Sequence, residues 1–165
     1  VESEAVDIIR RRGDLVIART RHGFICANAG VDRSNVEAGW AVLLPEDPDR
    51  SAHRLRQRLE RRFGVSVAVI VSDTFGRPWR RGLVDVAIGI SGLAAVDDHR
   101  GRFDTHGNEL EVTEIAVADE IAAAADLVMG KAESIPAAIV RGVGFPVGDG
   151  RATDLVRPPD EDLFL

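Results

Sequence analysis

Three stretches of this chain gather side chains whose types and spacing suit chemistry. In Gly30-Val31-Asp32-Arg33-Ser34-Asn35 a carboxylate, a hydroxyl and an amide fall within six residues, with no apolar partner to bury them. Hard oxygen donors on a turn suit Mg2+ or Mn2+, although the same pattern also makes an Asx-type turn that caps the next element. In the second stretch, Ser72, Asp73 and Thr74 follow a β-branched run, and Arg77, Arg80 and Arg81 come soon after. Guanidinium forks match phosphate and carboxylate geometrically, and Trp79 is placed to stack or to pack. Two aspartates on separate turns, Asp32 and Asp73, form the minimal frame for metal-assisted phosphoryl chemistry. The third stretch reads Leu127-Val128-Met129-Gly130-Lys131-Ala132-Glu133-Ser134-Ile135-Pro136. It follows a helix instead of preceding one, so by spacing it is a helix C-terminus with a glycine stop and a favourable Lys, not a phosphate-cradling loop.

Other reactive types carry less. His22, His53, His99 and His106 lie in unlike contexts with no pair at metal-ligand spacing. Cys26, the single cysteine, sits in a strand-like run and reads as a small buried apolar residue. Lys131 is the only lysine, so it isolates one amine.

These groups must be held by a frame of alternating strands and helices. Residues 1–12 place Val1, Ala5, Ile8 and Ile9 at helical spacing ahead of Gly13, which predicts a short helix. Residues 15–17 and 24–27 predict two strands joined by a tight turn, and 28–35 a turn. Residues 40–44 predict a buried strand. Asp47 then caps a helix with Pro48 in its first turn and Gly64 at its end. Ala52, Leu55, Leu59 and Phe63 form its apolar face, and its arginines form a solvated one. Residues 65–71 predict a strand buried on both faces that delivers its end into Ser72-Asp73-Thr74. Residues 84–90 predict a further strand with Asp85 inside it. Residues 97–108 read as a loop or loose hairpin, 115–129 as an alanine-rich helix closing at Gly130, and 137–140 as a last strand. The expected class is α+β, a mixed sheet with packed helices. Residues 1–157 form one domain, and 158–165 a charged tail or linker.

The composition sets outer bounds. With 165 residues, 45% of them hydrophobic, the chain can build a core. Asp and Glu outnumber Lys and Arg 27 to 21, giving a formal charge of -6 that repels nucleic acid and anionic membranes. One cysteine permits no internal disulfide. With no apolar run near the roughly 20 residues that a spanning helix needs, the expected address is the cytoplasm.

Taken in order, the segments RHGFICANAGVDRSNV, LLPEDPD, VSDTFGRPWR, DVAIG, VADEIAAAADLVMGK and DLVRPPDEDLF resemble the coenzyme F420-0:L-glutamate ligase family, also called coenzyme F420:gamma-glutamyl ligase. The resemblance spans essentially the whole chain. It implies the family's own fold, a homodimer, and GTP-dependent attachment of L-glutamate to coenzyme F420-0 with Mg2+ or Mn2+ and K+. It makes Asp32, Asp73 and Thr74 metal ligands and Asn35 a nucleotide contact. It also turns Met129, Gly130, Lys131, Ala132, Glu133, Ser134, Ile135 and Pro136 into a nucleotide-binding loop in which Lys131 meets phosphate. Asp32 and Asp73 carry the catalysis, and Arg77 and Arg80 are candidates for gripping the anionic substrate. Family members carry a further N-terminal region that supplies part of the nucleotide site. Two rival functions use the same residues: a metal-dependent phosphate-ester hydrolase, and a non-catalytic nucleotide-binding or dimerisation fragment.

Overall fold

The computed structural model describes residues 1–162. The last three residues of the expected tail lie outside the described residues. The chain begins with a hairpin. Strand β1 (Ala5–Arg12) runs antiparallel to β2 (Leu15–Thr20), and β2 pairs antiparallel with β3 (Ile25–Ala27). The helix expected over residues 1–12 is therefore a strand. The glycine that suggested a helix stop makes the hairpin turn instead: Gly13 has φ +60°, and only Asp14 stands between it and β2. A two-residue hairpin turn needs that left-handed backbone, and the β-branched residues Val6, Ile8 and Ile9 favour the pleated form once a partner strand is available. The tight turn expected between β2 and β3 is present, with the Thr20 N–H donating to the Phe24 carbonyl and Gly23 N–H to Thr20.

A single 3₁₀ turn (Asn28–Gly30) leads out of β3. Residues 40–44 do not form the buried strand expected. Their one ladder contact is an isolated antiparallel bridge from Asp32 to Val42, and Trp40 is 70% exposed. Pro45 removes a backbone donor at the end of this run, and among the described residues no further strand pairs with it.

Helix α1 (Pro48–Phe63) starts as its sequence dictates. Asp47 accepts the Arg50 N–H at 2.9 Å, Pro48 occupies the first turn, and Gly64 closes the helix in the left-handed region. Its buried face differs from the expected one. Pro48 and Ala52 are buried, whereas Leu55, Leu59 and Phe63 are exposed. The cause is the approach to the following hairpin at Gly89, where a Cβ would collide with the Pro48 carbonyl. That approach turns the 48, 52, 56 row inward. Asp49 fixes the docking by accepting the N–H groups of Ile90 at 2.9 Å and Ala152 at 3.1 Å.

Strands β4 (Val69–Arg77) and β5 (Arg80–Ser91) form the central antiparallel hairpin. The strand expected over 65–71 thus begins later and continues through Ser72-Asp73-Thr74, which lie within the ladder and not beyond its end. β4 is not buried on both faces as expected: none of its residues is fully buried, and β5 is its one partner strand among the described residues. The run at 97–108 is a loose hairpin: β6 (Asp97–Asp98) pairs with β7 (Glu114–Ile115), and Phe103 bridges Glu109. Helix α2 (Val117–Met129) ends at Gly130 as expected. Residues 137–140 form no strand, and Ile139 is 80% exposed. Pro136 precedes the run, and no strand lies beside it among the described residues.

The chain is of the α+β class, and all its strand pairs among the described residues are antiparallel. Both helices pack on β5. One core cluster joins Ala87, Ile90, Leu93, Ala95 and Ala118, and a second joins Phe24, Ile88 and Ala152. No helix among the described residues is long and apolar enough to cross a membrane.

Candidate active site

Asp32 and Asp73 come from different elements and lie near enough for the Asp32 charge to raise the Asp73 carboxyl. Asp32 is held at its bridge by two backbone bonds, its N–H to the Val42 carbonyl at 3.0 Å and the Val42 N–H back to it at 2.8 Å. Its carboxylate accepts the Ser34 N–H at 2.8 Å and the Ser34 hydroxyl at 2.5 Å. These two bonds, the hydroxyl's foremost, hold the Asp32 carboxyl below its ordinary range, and the Lys131 ammonium adds to the effect. Asp73 sits in mid-strand on β4. Burial pushes its carboxyl up, the Thr74 N–H bond at 2.8 Å pulls the other way, and the negative charges of Asp32 and Asp85 raise it further. The two carboxylates therefore feel one another, and Lys131 acts on both.

Lys131 Nζ stands 3.7 Å from Asp32 Oδ2. Asn35 Nδ2 donates to the Lys131 backbone carbonyl at 3.0 Å. The turn at 30–35 and the loop after α2 are thereby tied together. The loop is exposed, and it is shaped by Glu133, whose Oε2 accepts the Ala132 N–H at 2.8 Å, and by Ser134 at φ 58°.

Asp85 is a participant that motif reading did not single out. It is buried at 6% exposure and faces Thr74 across the β4–β5 ladder. One oxygen accepts the Ser72 hydroxyl and the other the Thr74 hydroxyl, each at 2.8 Å. The signal available in the sequence was a carboxylate inside an apolar strand, which is costly unless it is hydrogen-bonded. Cys26 belongs to the same neighbourhood. Burial, with the Asp73 charge second, raises its thiol to about 11, which fits the inert reading. Arg77 and Arg80 face one another at the far end of the hairpin, beyond Phe75. Arg80 is exposed, and Arg77 Nη2 reaches the Arg81 carbonyl at 3.5 Å.

The donor set was tested for a divalent cation. Among the described residues no group of three or more His, Cys, Asp or Glu is gathered for a metal. Thr74 Oγ1 lies on the opposite face of β4 and donates to Asp85, which leaves the carboxylates of Asp32 and Asp73, near enough for the first to act electrostatically on the second. That set suits a Mg2+-like ion, which is typically held by one or two carboxylates and completed by substrate phosphate oxygens and water.

The fold and the site define an α+β domain in which two aspartates from separate elements lie near an exposed, lysine-bearing loop. Residues 1–142 match the F420-0:Gamma-glutamyl ligase family, and the chain belongs to that family. It is 48% identical over 162 residues to the coenzyme F420:L-glutamate ligase of Methanocaldococcus jannaschii, and 50% identical over 166 residues to that of Methanothermobacter thermautotrophicus. Methanopyrus kandleri has a relative of the same name at 48% identity over 166 residues. Each alignment covers 98% of this chain, and the chain spans 65 to 66% of the length of these relatives.

Proposed function

We propose that the protein containing this chain joins L-glutamate to coenzyme F420-0, with gamma-glutamyl extension, at the expense of GTP. The observation that carries the reading is the coupling of Asp32, Asp73 and Lys131 in a chain of this family. The relatives' names supply the glutamate and the coenzyme. GTP, the divalent ion, K+ and a homodimer come from the resemblance. The exposed stripe of Leu55, Leu59 and Phe63 on α1 offers an apolar face to a second copy.

The chemistry follows from the reactants. A carboxylate acylates an amine poorly, because its oxygen is a poor leaving group and its charge repels the nucleophile. The substrate carboxylate oxygen attacks the γ-phosphorus of GTP, the bond to the β-phosphate oxygen breaks, and GDP leaves. The glutamate amine then attacks the acyl carbon, inorganic phosphate departs and the ammonium proton is released. When bound, the divalent ion supplies neutralisation of phosphate charge during transfer. Asp32 and Asp73 would hold it, whereas the Thr74 side chain, a ligand by the resemblance, is turned to the other face of β4 toward Asp85. Lys131 meets phosphate oxygens at the open side, Asn35 fixes the nucleotide loop through the Lys131 carbonyl, and Ser34 keeps the Asp32 carboxylate ionised and oriented. Asp85 holds the Ser72 and Thr74 hydroxyls on the face of the strand opposite Asp73 and so fixes the strand that carries it.

The test is an assay of the intact protein with GTP, Mg2+, coenzyme F420-0 and L-glutamate. Ligated product with matched GDP and phosphate, both dependent on glutamate, is the expected result, and Asp73→Asn abolishes it while leaving the fold intact. Phosphate release that ignores glutamate identifies the hydrolase instead. Nucleotide binding with no turnover identifies a binding or dimerisation module.

A further inference from the structure

A concave site lies on the hairpin face that carries Asp73. It is a cavity of about 250 Å3 between β3, the β4–β5 hairpin, α2 and the segment around residue 155. Phe24, Phe75 and Val86 make its apolar wall, and Asp119 and Arg157 are on its lining. Strand register locates it. Asp73 faces Val86 across the ladder and Phe75 faces Val84, so alternation puts Asp73, Phe75, Val84 and Val86 on one face of the hairpin. Two residues along a strand span roughly 6.6 Å. A small ligand against Phe75 and Val86 therefore lies within a side chain's length of Asp73. The β3 side agrees: Cys26 feels the Asp73 charge, and Phe24, just upstream, lines the cavity.

The charged groups on the cavity lining are two carboxylates, Asp119 and Asp162, and one guanidinium, Arg157. Asp119 stands in the first turn of α2, half-buried, with Oδ1 accepting the Ala87 N–H at 2.8 Å. Among the described residues neither Asp119 nor Arg157 is in an ion pair. Burial raises the Asp119 carboxyl, a penalty that an arriving cationic group would relieve. An anchored carboxylate and an exposed guanidinium on one small cavity, with apolar walls between, match a ligand that carries an ammonium and a carboxylate on a short carbon frame.

We propose that this cavity seats the acceptor amino acid, Asp119 receiving its ammonium and Arg157 its α-carboxylate, with the amine directed along the hairpin face toward Asp73. The assignment rests on the ligase reading, which supplies an amino acid as co-substrate, but its test separates the two. The site has room for one amino acid against Phe75 and Val86, and Asp119 and Arg157 set the order of its preferences. L-glutamate offers both groups, glutarate lacks the ammonium, and 4-aminobutyrate lacks the α-carboxylate.

Calorimetric titration of the intact protein, with a non-hydrolysable GTP analogue and Mg2+ present, measures all three. L-glutamate is expected to bind best. Asp119→Asn keeps an acceptor for the Ala87 N–H and should weaken L-glutamate at least 10-fold while leaving glutarate unchanged. Arg157→Gln should weaken L-glutamate by a similar factor and leave 4-aminobutyrate nearly unaffected. Thermal melts of both variants establish that they fold. Wild-type affinity for L-glutamate in the two folded variants overturns the assignment, as does equal binding of all three ligands. If the wild type ligates and both variants keep its KM for glutamate, the subsite is wrong and the ligase reading stands. If L-glutamate binds as described without any ligation, the subsite stands and the ligase reading falls.

Discussion

The side-chain amide of Asn35 donates to the backbone carbonyl of Lys131 at 3.0 Å, across 96 residues of sequence. This one bond ties the turn that carries Asp32 to the loop that carries the only lysine, and it fixes where the Lys131 ammonium sits relative to the acidic pair.

Asn35→Ala should therefore separate stability from nucleotide binding. The bond is exposed, so its loss costs about 0.5–1.5 kcal/mol at most in urea denaturation. A nucleotide loop that loses its tether binds GTP about 10-fold more weakly, which corresponds to roughly 1.4 kcal/mol. Fluorescence titration with a labelled GTP analogue measures the second effect; an unchanged affinity contradicts the role given to Asn35.

Asp85 carries a different expectation, because it is buried and holds two hydroxyls. Asp85→Ala leaves Ser72 and Thr74 without their acceptor, and each unsatisfied hydroxyl costs about 1–3 kcal/mol. Asp85→Asn retains one acceptor oxygen and should lose about half as much. Chemical denaturation of the two variants checks the order.

Asp119 gives a pH-dependent outcome. Its carboxyl is raised in the folded chain by burial, with the Ala87 bond opposing. A carboxyl raised on folding favours the folded state below its unfolded pKa, and that contribution disappears as pH rises through the folded value. At neutral pH the charge is thus a burden, and Asp119→Asn should be the more stable protein there. The advantage should shrink as pH falls through the folded value and be gone below about 3.9, the ordinary aspartate value. Thermal melts at pH 7 and pH 3.5 read the difference.

Cys26 should be inert. It is 5% exposed and its thiol is raised to about 11, so almost no thiolate is present at pH 8. Iodoacetamide should leave the native chain unmodified by mass spectrometry and label it fully in 6 M guanidinium. Rapid native labelling would contradict the burial described.

Much of the frame was legible in the sequence where one local device decides the outcome. Asp47, Pro48 and Gly64 mark α1 by capping chemistry alone, and Gly130 ends α2. Where two states share a signal, tertiary pairing decided. Gly13 serves a helix stop or a hairpin turn equally well, and the pairing of β1 with β2 selected the turn. The face of α1 was misread because periodicity marks Leu55, Leu59 and Phe63, whereas contact at Gly89 turns Pro48 and Ala52 inward. The turn at 30–35 and the Ser72-Asp73-Thr74 run stood out by residue type, but their convergence did not, since no local rule relates them. Asp85 and Asp119 escaped because each is an acid within an apolar run, and its partners are set only by strand register and helix docking.

Manganese binding to the intact protein, followed by electron paramagnetic resonance with GTP present, tests the shared acidic centre most directly. The account predicts one tight Mn2+ site that is lost in Asp32→Asn and in Asp73→Asn alike, with the double variant no worse than either alone. Independent, additive losses from two separate sites, or wild-type Mn2+ affinity in both single variants, would contradict it.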